Sequence, residues 1–214
     1  MRRTKLLEDA VVGEYVNRIG HSIAKNSDAK SLFNTKVVDA TGINALAVPG
    51  DFLYINAGLI LVADNESQLA AVMAHMMTHV AARHASENEA RGVLMPLVGP
   101  RASILAPPRS ARFLPGLFYK FSRPSEEEAD FLGAQYLYKA GYDATAMVSM
   151  FQKLSSSQVA GQVPDTFDTH LKAIEQRVTK LNENIKRYFP TRKQNIVTTK
   201  EFQNVQTRVI TLTR

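Results

Sequence analysis

The hydrophobic residues near the start of the chain recur with the period of an α-helix. Between residues 5 and 25 they stand mostly three or four positions apart, at Leu6, Leu7, Val11, Val12, Tyr15, Val16, Ile19 and Ile23. This spacing places them on one helix face, so it predicts an amphipathic helix. A second segment with the same period, residues 169–188, predicts another helix.

The next hydrophobic runs are short and rich in β-branched and aromatic residues, which favours strands. They cover residues 36–39 and 52–56, and Pro49 and Gly50 mark a turn before the second run. Together they predict an antiparallel hairpin in which 52–56 is an edge strand. Residues 205–212 are also β-prone and predict a strand at the end of the chain.

Helix-start signals surround residue 65. Asn65 followed by Gln68 resembles a capping box, and Glu66 places a negative charge in the first turn of a helix. The residues that follow are rich in Ala, Met and Leu, which are good helix formers, and Gly and Pro are absent up to residue 90. We therefore predict a helix over 65–90.

Two more helices are predicted over 125–140 and 144–154. Residues 92–121 differ in character, because five prolines stand among apolar residues and three arginines. Prolines exclude one continuous helix, and long apolar loops in compact domains usually act as lids or binding loops. We interpret 92–121 as a lid. The alternative is a membrane-surface contact through 91–123, where apolar and Arg residues alternate.

The length and composition support one compact domain, 1–214. The predicted elements make it a predominantly helical α+β fold. The chain lacks the run of about 18 apolar residues that a membrane span needs, and its charged start lacks the apolar centre of a signal peptide. A cleaved leader would leave the same sequence. The net charge is +6, but no aromatic and basic motif accompanies the scattered Lys and Arg, so we expect no nucleic-acid partner.

A metal site is indicated by His75 and His79, which stand four residues apart on a predicted helix and project from one face. The chain has no cysteine, so any metal must be bound by His, Asp or Glu. Glu126 on a later helix would complete a set of two His and one Glu, which is known for catalytic zinc. His84 lies off the metal-facing stripe, and we expect it to be a surface residue or a residue that supports a ligand, rather than a ligand itself.

The order and spacing of several motifs between residues 44 and 177 resemble the HtpX-like zinc metallopeptidases, peptidase family M48. The matching pieces are Asn44 to Gly50, Tyr54 to Leu59, Ala63 to Leu69, the His75 to His84 motif, Ser122 with Arg123, the Glu126 to Asp130 motif, and Ala140 to Asp143. The resemblance implies a zincin-like fold of the gluzincin type, with a small antiparallel sheet beside the active-site helix.

The resemblance also implies roles for individual residues. His75, His79 and Glu126 would be the zinc ligands, and Asp130 would orient a ligand histidine. The strand ending at Asn56 would bind an extended or unfolded polypeptide by β-addition. Family members of this kind act in protein quality control with broad endopeptidase specificity, and the bacterial cell envelope or periplasm is the expected compartment. The oligomeric state stays open.

The sequence departs from the family pattern at several positions. His170 and Arg177 match a late element expected near the metal, but the two residues are one position further apart than is usual. Thr78 stands where Gly or Ala is usual, and Leu171 replaces a Pro. Asp51 replaces a second Gly after the Pro-Gly turn.

The largest departure is Met76, which occupies the position of the general-base Glu in the His-Glu-x-x-His motif. A thioether cannot hold or pass on the proton that hydrolysis requires, so a rate contribution of about 10²–10⁴-fold should be lost. One hypothesis is therefore a zinc metalloendopeptidase with impaired hydrolysis. The other is a zinc-binding pseudopeptidase that acts as a peptide-binding or chaperone-like module.

Overall fold

The computed structural model describes residues 5–48, 50–82, 84, 121–156 and 174–213. Within these ranges the chain forms seven helices and three strands. In chain order they are α1 (Ala10–Lys25), β1 (Asn34–Val38), β2 (Ala45–Val48), β3 (Phe52–Asn56), α2 (Ala57–Val62), α3 (Glu66–Ala81), α4 (Arg123–Lys139), α5 (Thr145–Leu154), α6 (Ile174–Tyr188) and α7 (Lys200–Leu212). The prediction of a predominantly helical α+β fold is confirmed.

The three strands form one mixed sheet in the order β1-β3-β2. The predicted antiparallel hairpin of 36–39 with 52–56 is wrong, because β1 runs parallel to β3, with Asn34 opposite Phe52. The antiparallel partner of β3 is β2, which was not predicted as a strand. The prediction that 52–56 is an edge strand is wrong, because β3 has a partner on each side. Its buried residues Leu53 and Ile55 are fully enclosed, as a central strand requires.

The outer side of β1 is partly covered by the residues that precede α1. Leu7 donates its N–H to Val37 at 2.9 Å, and Asp39 donates to the carbonyl of Lys5 at 2.8 Å. The helical period of this part of the sequence therefore starts at Ala10 rather than at residue 5. Asp9 caps α1 by accepting the N–H of Val12 at 3.0 Å.

The turn before β3 explains one departure from the family pattern. Gly50 has a φ of 93° and Asp51 a φ of 63°, so two successive residues adopt the left-handed conformation. Glycine takes this conformation without steric cost, whereas Asp tolerates it less well. A second glycine is thus the residue that this backbone favours at position 51.

The end of the chain is helical rather than extended, and the prediction of a strand over 205–212 is wrong. Phe202, Val205 and Val209 are buried and recur every three or four residues along α7. This period fits a helix that packs against α1 and α2, and packing outweighs the β-propensity of Val. Thr199 caps the helix by accepting the N–H of Phe202 at 3.1 Å.

Helix α3 lies at the centre of the fold, and every residue from Glu66 to His79 is buried. It packs against α4, α5, α1 and β2. Asn65 caps it by accepting the N–H of Gln68 at 3.0 Å, and the Gln68 amide oxygen accepts the N–H of Asp64 at 2.9 Å. The predicted start is confirmed, but the helix ends at Ala81, short of residue 90.

The first residue of α3 is anchored by buried hydroxyl groups from distant parts of the chain. Glu66 accepts hydrogen bonds from Tyr15 at 2.9 Å and from Tyr142 at 2.8 Å, and also from the hydroxyl of Thr199. Burial, with the neighbouring carboxylate, raises the pKa of both tyrosines far above the usual value. These hydroxyls therefore remain donors, and they fix the start of the helix that carries the histidine pair.

A close contact between α3 and α4 occurs at the level of the histidine pair. A Cβ added at Gly133 of α4 would lie 3.1 Å from the backbone of His75. Only glycine allows α4 to approach this closely without a shift of backbone atoms.

No helix within the described ranges is long and apolar enough to cross a bilayer. The predicted lid, 92–121, and the alternative membrane contact, 91–123, lie outside the described residues up to residue 120, so both stay predictions. The single-domain boundary 1–214 also stays a prediction.

Candidate metal centre

Three side chains converge where α3 and the start of α4 meet. His75 and His79 lie one turn apart on α3, and their Nε2 atoms are 3.2 Å apart. Glu126 lies in the first turn of α4, with Oε2 3.4 Å from His75 Nε2 and Oε1 3.7 Å from His79 Nε2. All three side chains are buried.

The start of α4 positions Glu126. Ser122 caps this helix, Pro124 stands in its first turn, and the Ser122 hydroxyl accepts the N–H of Ser125 at 3.3 Å. A helix dipole favours an acidic residue at this end. The Glu126 carboxylate nevertheless turns inward toward the two imidazoles.

The spacing of the three donor groups fits one tetrahedral ion. Zinc–ligand bonds of about 2.0–2.2 Å at tetrahedral angles separate the ligand atoms by about 3.3–3.6 Å. The two Nε2 atoms are 3.2 Å apart, and the two oxygens of Glu126 lie 3.4 Å from His75 Nε2 and 3.7 Å from His79 Nε2, close to that interval. Two imidazole nitrogens and one carboxylate oxygen are also the donor types that zinc binds in proteins. The residues present therefore fit zinc.

The His75 side of the site consists of His75 with its supporting groups Asp130 and Arg177. Asp130 lies one turn after Glu126, and its Oδ1 is 3.1 Å from His75 Nδ1. Arg177 of α6 donates to Asp130 from Nε at 2.7 Å and from Nη2 at 2.6 Å. Its Nη1 also lies 3.1 Å from Glu126 Oε2. The buried guanidinium of Arg177 thus contacts the carboxylates of both Asp130 and Glu126.

The pKa values on the His75 side reflect these contacts. Burial alone would raise the pKa of Asp130, but hydrogen bonds from Arg177 and His75 outweigh it and hold that pKa below its usual value. Burial alone would lower the pKa of His75, but its contacts with Asp130 and Glu126 outweigh burial and raise that pKa. Asp130 is therefore ionised at neutral pH and accepts a hydrogen bond from His75.

The His79 side of the site consists of His79 with Phe121, His84 and Glu128. Phe121 stacks on the His79 ring with centroids 3.9 Å apart and an interplanar angle of 12°. His79 Nδ1 lies 3.0 Å from His84 Nδ1, and His84 Nε2 lies 3.3 Å from Glu128 Oε2. His84 is buried, whereas the Glu128 side chain is half-exposed.

Met76 follows His75 on α3 and is buried within the hydrophobic core. Its thioether supplies no carboxylate at the position that the motif reserves for the general base. Thr78, the other substituted residue of the motif, donates its hydroxyl to the carbonyl of Ala74 at 2.9 Å. A buried Thr is thus accommodated on α3 without an unsatisfied hydroxyl.

The structure brings together five of the residues predicted from the sequence: His75, His79, Glu126, Asp130 and Arg177. His170 lies outside the described residues.

Sequence reasoning missed three residues of the site. Phe121 directly precedes the cap of α4, and Glu128 belongs to the same acidic run as Glu126. Phe151 of α5 meets the His75 ring edge to face with centroids 5.4 Å apart. The acidic run was the available signal for Glu128, but the two aromatic rings carry no pattern that marks them.

Comparison with known proteins gives a family match. The sequence model described as Peptidase family M48 matches residues 12–185. The Beta-barrel assembly-enhancing protease of Escherichia coli (strain K12) is 31% identical over 181 residues, which cover 77% of this chain and 37% of the relative. The Beta-barrel assembly-enhancing protease of Yersinia pestis is 32% identical over 181 residues, with the same coverage of 77% and 37%.

A eukaryotic relative matches over a similar region. The Mitochondrial metalloendopeptidase OMA1 of Schizosaccharomyces pombe is 29% identical over 175 residues, which cover 79% of this chain and 52% of the relative. The chain spans less than half of the length of the two bacterial relatives and about half of the length of the yeast protein.

Proposed function

This chain belongs to peptidase family M48, and we propose that it is a zinc metallopeptidase domain whose hydrolytic activity is impaired by Met76. His75, His79 and Glu126 would bind the ion. The observation that carries the proposal is the cluster of donor atoms. The two imidazole Nε2 atoms are 3.2 Å apart, and the carboxylate oxygens of Glu126 lie 3.4 Å from one and 3.7 Å from the other. Zinc, when bound, supplies Lewis-acid chemistry to a peptide carbonyl.

The chain's own residues prepare the ligands. Asp130 Oδ1, 3.1 Å from His75 Nδ1, would hold the proton of that nitrogen and leave His75 Nε2 free to bind the ion. Arg177 would offset the charge of the neighbouring Asp130 and Glu126 carboxylates. These residues bind and orient, and none of them replaces the missing base.

Hydrolysis also needs a group that takes a proton from the attacking water and passes it to the leaving amine. At position 76 the side chain is an apolar thioether, 3% exposed and packed in the core. We therefore expect metal binding without efficient cleavage.

The test compares the unaltered chain with Met76→Glu and with Met76→Gln as the matched control. Gln has the size of Glu but cannot act as a base. All three proteins should contain zinc by elemental analysis. Met76→Glu should cleave casein about 10²–10⁴-fold faster than the other two, because it restores the general base.

Two results would contradict the proposal. Chelator-sensitive cleavage by the unaltered chain at the rate of Met76→Glu would show that Met76 does not impair hydrolysis. Absence of zinc from all three proteins, each folded by circular dichroism, would remove the ligand assignment itself.

The second candidate function is a zinc-binding pseudopeptidase that acts as a peptide-binding or chaperone-like module. The burial of Met76 favours this function, because its side chain packs within the hydrophobic core rather than lining an open cleft. Suppression of aggregation of an unfolded protein by the unaltered chain, at equal strength in Met76→Gln, would support it. An inert unaltered chain would contradict it.

Polypeptide binding by β-addition requires a sheet edge, and among the described residues β3 has a strand on each side whereas β1 and β2 are the outer strands. The outer side of β1 is partly covered, whereas β2 lies beside α3, the helix of the histidine pair. We propose that an extended or unfolded polypeptide would pair with Ala45–Val48. Main-chain hydrogen bonds would give affinity with little dependence on side chains.

The names of the bacterial relatives refer to the assembly of β-barrels, and bacterial β-barrels of this kind belong to the outer membrane. We therefore propose the bacterial cell envelope, with protein quality control as the role. Fractionation of cells that produce the protein, probed with an antibody, would test the compartment. Recovery with the cytoplasmic fraction alone would contradict it.

A further inference from the structure

We infer that His84 and Glu128 are positioning residues for His79. The inference rests on the proposed binding of zinc by His79. His84 stands five residues after His79 and directs its Nδ1 at the Nδ1 of His79, 3.0 Å away. This is the ring edge that faces away from His75 and Glu126, so His84 contacts the ligand histidine without joining the ligand set.

The protons of these groups follow from the ligation. A histidine that binds a metal through Nε2 is neutral and carries its proton on Nδ1. Two ring nitrogens 3.0 Å apart can share one proton, so His79 Nδ1 donates and His84 Nδ1 accepts. His84 then carries its own proton on Nε2, the atom that lies 3.3 Å from Glu128 Oε2.

Glu128 is therefore the group that selects the tautomer of His84. Its carboxylate accepts the Nε2 proton of His84, which keeps His84 Nδ1 free of a proton. That nitrogen in turn holds the proton of His79 on Nδ1 and leaves the His79 Nε2 lone pair for the metal. These contacts favour the His79 tautomer that metal binding needs, with the proton on Nδ1 and Nε2 free.

The surroundings strengthen the contact between the two histidines. His79 and His84 are 2% and 3% exposed, so water competes little for their hydrogen bond. Phe121 covers one face of the His79 ring and lies 6.0 Å from the His84 ring. The hydrogen bond fixes the rotation of the His79 ring, and the stacked phenyl ring restricts its tilt.

The test measures zinc affinity by competition with a chromophoric chelator for the unaltered chain and three variants. His84→Leu fills the space of the His84 ring but offers no hydrogen-bond acceptor to His79 Nδ1. His84→Asn places an amide oxygen near the position of Nδ1, and Glu128→Gln removes the charge that selects the tautomer. We expect His84→Leu to weaken zinc binding by about 10–100-fold, His84→Asn to restore most of the loss, and Glu128→Gln to cause a smaller loss.

The visible spectrum of the cobalt-substituted protein gives a readout of ligand geometry that stability alone would not change. It should differ from the unaltered spectrum in His84→Leu and return toward it in His84→Asn. Urea unfolding of each metal-free variant shows whether the fold is intact.

The outcomes separate this inference from the proposed function. Unchanged zinc affinity in His84→Leu, or an equal loss in His84→Leu and His84→Asn, would overturn the role of His84 while zinc binding by the unaltered chain still stands. His75→Ala serves as the reference for a lost ligand. If the unaltered chain binds no more zinc than His75→Ala, the proposed metal site fails and the inference fails with it.

Discussion

The two histidines of the site lie one turn apart on the same helix, yet the molecule supports them in different ways. His75 is backed by a buried carboxylate that a buried guanidinium holds through two hydrogen bonds. His79 is backed by the imidazole of His84 and covered by a phenyl ring, and its chain of contacts ends at a half-exposed carboxylate. Equal spacing along α3 therefore does not give equal environments.

Because of this difference, we expect the two sides to contribute differently to the stability of the fold and to metal binding. Asp130 and Arg177 connect α4 with α6, and both charges are enclosed, so their pairing matters to the folded state with or without an ion. The contacts of His79 with His84 and Phe121 chiefly orient one ring. We expect changes on the His75 side to alter both stability and zinc affinity, and changes on the His79 side to alter mainly zinc affinity.

The largest effect is expected from Asp130→Ala. The substitution removes the carboxylate that accepts two hydrogen bonds from buried Arg177. Loss of one member of a buried ion pair typically costs about 3–5 kcal/mol of stability. Urea unfolding of the metal-free protein measures this loss. Glu128→Ala, on the His79 side, is the matched carboxylate control and should change the free energy of unfolding by less than about 0.5 kcal/mol. Equal losses of unfolding free energy in the two variants would contradict the expected difference between the His75 side and the His79 side.

An intermediate effect is expected from Phe121→Ala. Loss of the stacked ring should weaken zinc binding by about 0.5–1.5 kcal/mol, with little change in the unfolding of the metal-free protein. Chelator competition gives the affinity. Phe131→Ala removes a ring of α4 that stacks on Phe189 instead, and it should leave zinc affinity unchanged. A fall in stability as large as that of Asp130→Ala would place Phe121 in the core rather than on the His79 side.

The smallest effect is expected from an ion pair remote from both histidines, which provides a baseline. Hydrogen bonds from Arg208 hold the pKa of Asp9 below its ordinary value of 3.8. Since the folded state lowers this pKa, the contribution to stability is present above 3.8 and is lost as the pH falls through the lower, folded-state value.

Asp9→Asn keeps the cap of α1 but removes the charge. Its thermal midpoint should therefore differ slightly from that of the unaltered chain at neutral pH and converge with it in acid. A difference that grows as the pH falls would contradict this sign.

Local signals predicted much of the fold. The cap at Asn65, the predicted helix end near residue 140 and the period of α1 are set by residues close together in sequence, and the structure agrees with them. The errors occur where distant contacts decide. Val205 and Val209 favour a strand by propensity, but together with Phe202 they match a helix that has α1 and α2 to pack against.

The sheet shows the same division. The turn before β3 indicates a hairpin, but the strand that it joins to β3 is Ala45–Val48 rather than the predicted run 36–39. The run 36–39 pairs with β3 in parallel, and nothing in its local sequence states the direction of that pairing. Because β1 pairs with β3 on the side opposite β2, β3 is the central strand of the sheet. The local sequence of β3 does not indicate this position.

At the candidate metal centre, residue type and local spacing were enough to predict that two imidazoles share one helix face, that a carboxylate begins a later helix, and that Met76 replaces the expected base. Each of these is a property of residues within one helix. The groups that support each histidine could not be predicted in this way. Asp130 and Arg177 are 47 residues apart, and His84 and Glu128 are 44 apart, so their pairing depends on how α4 packs against α3 and α6.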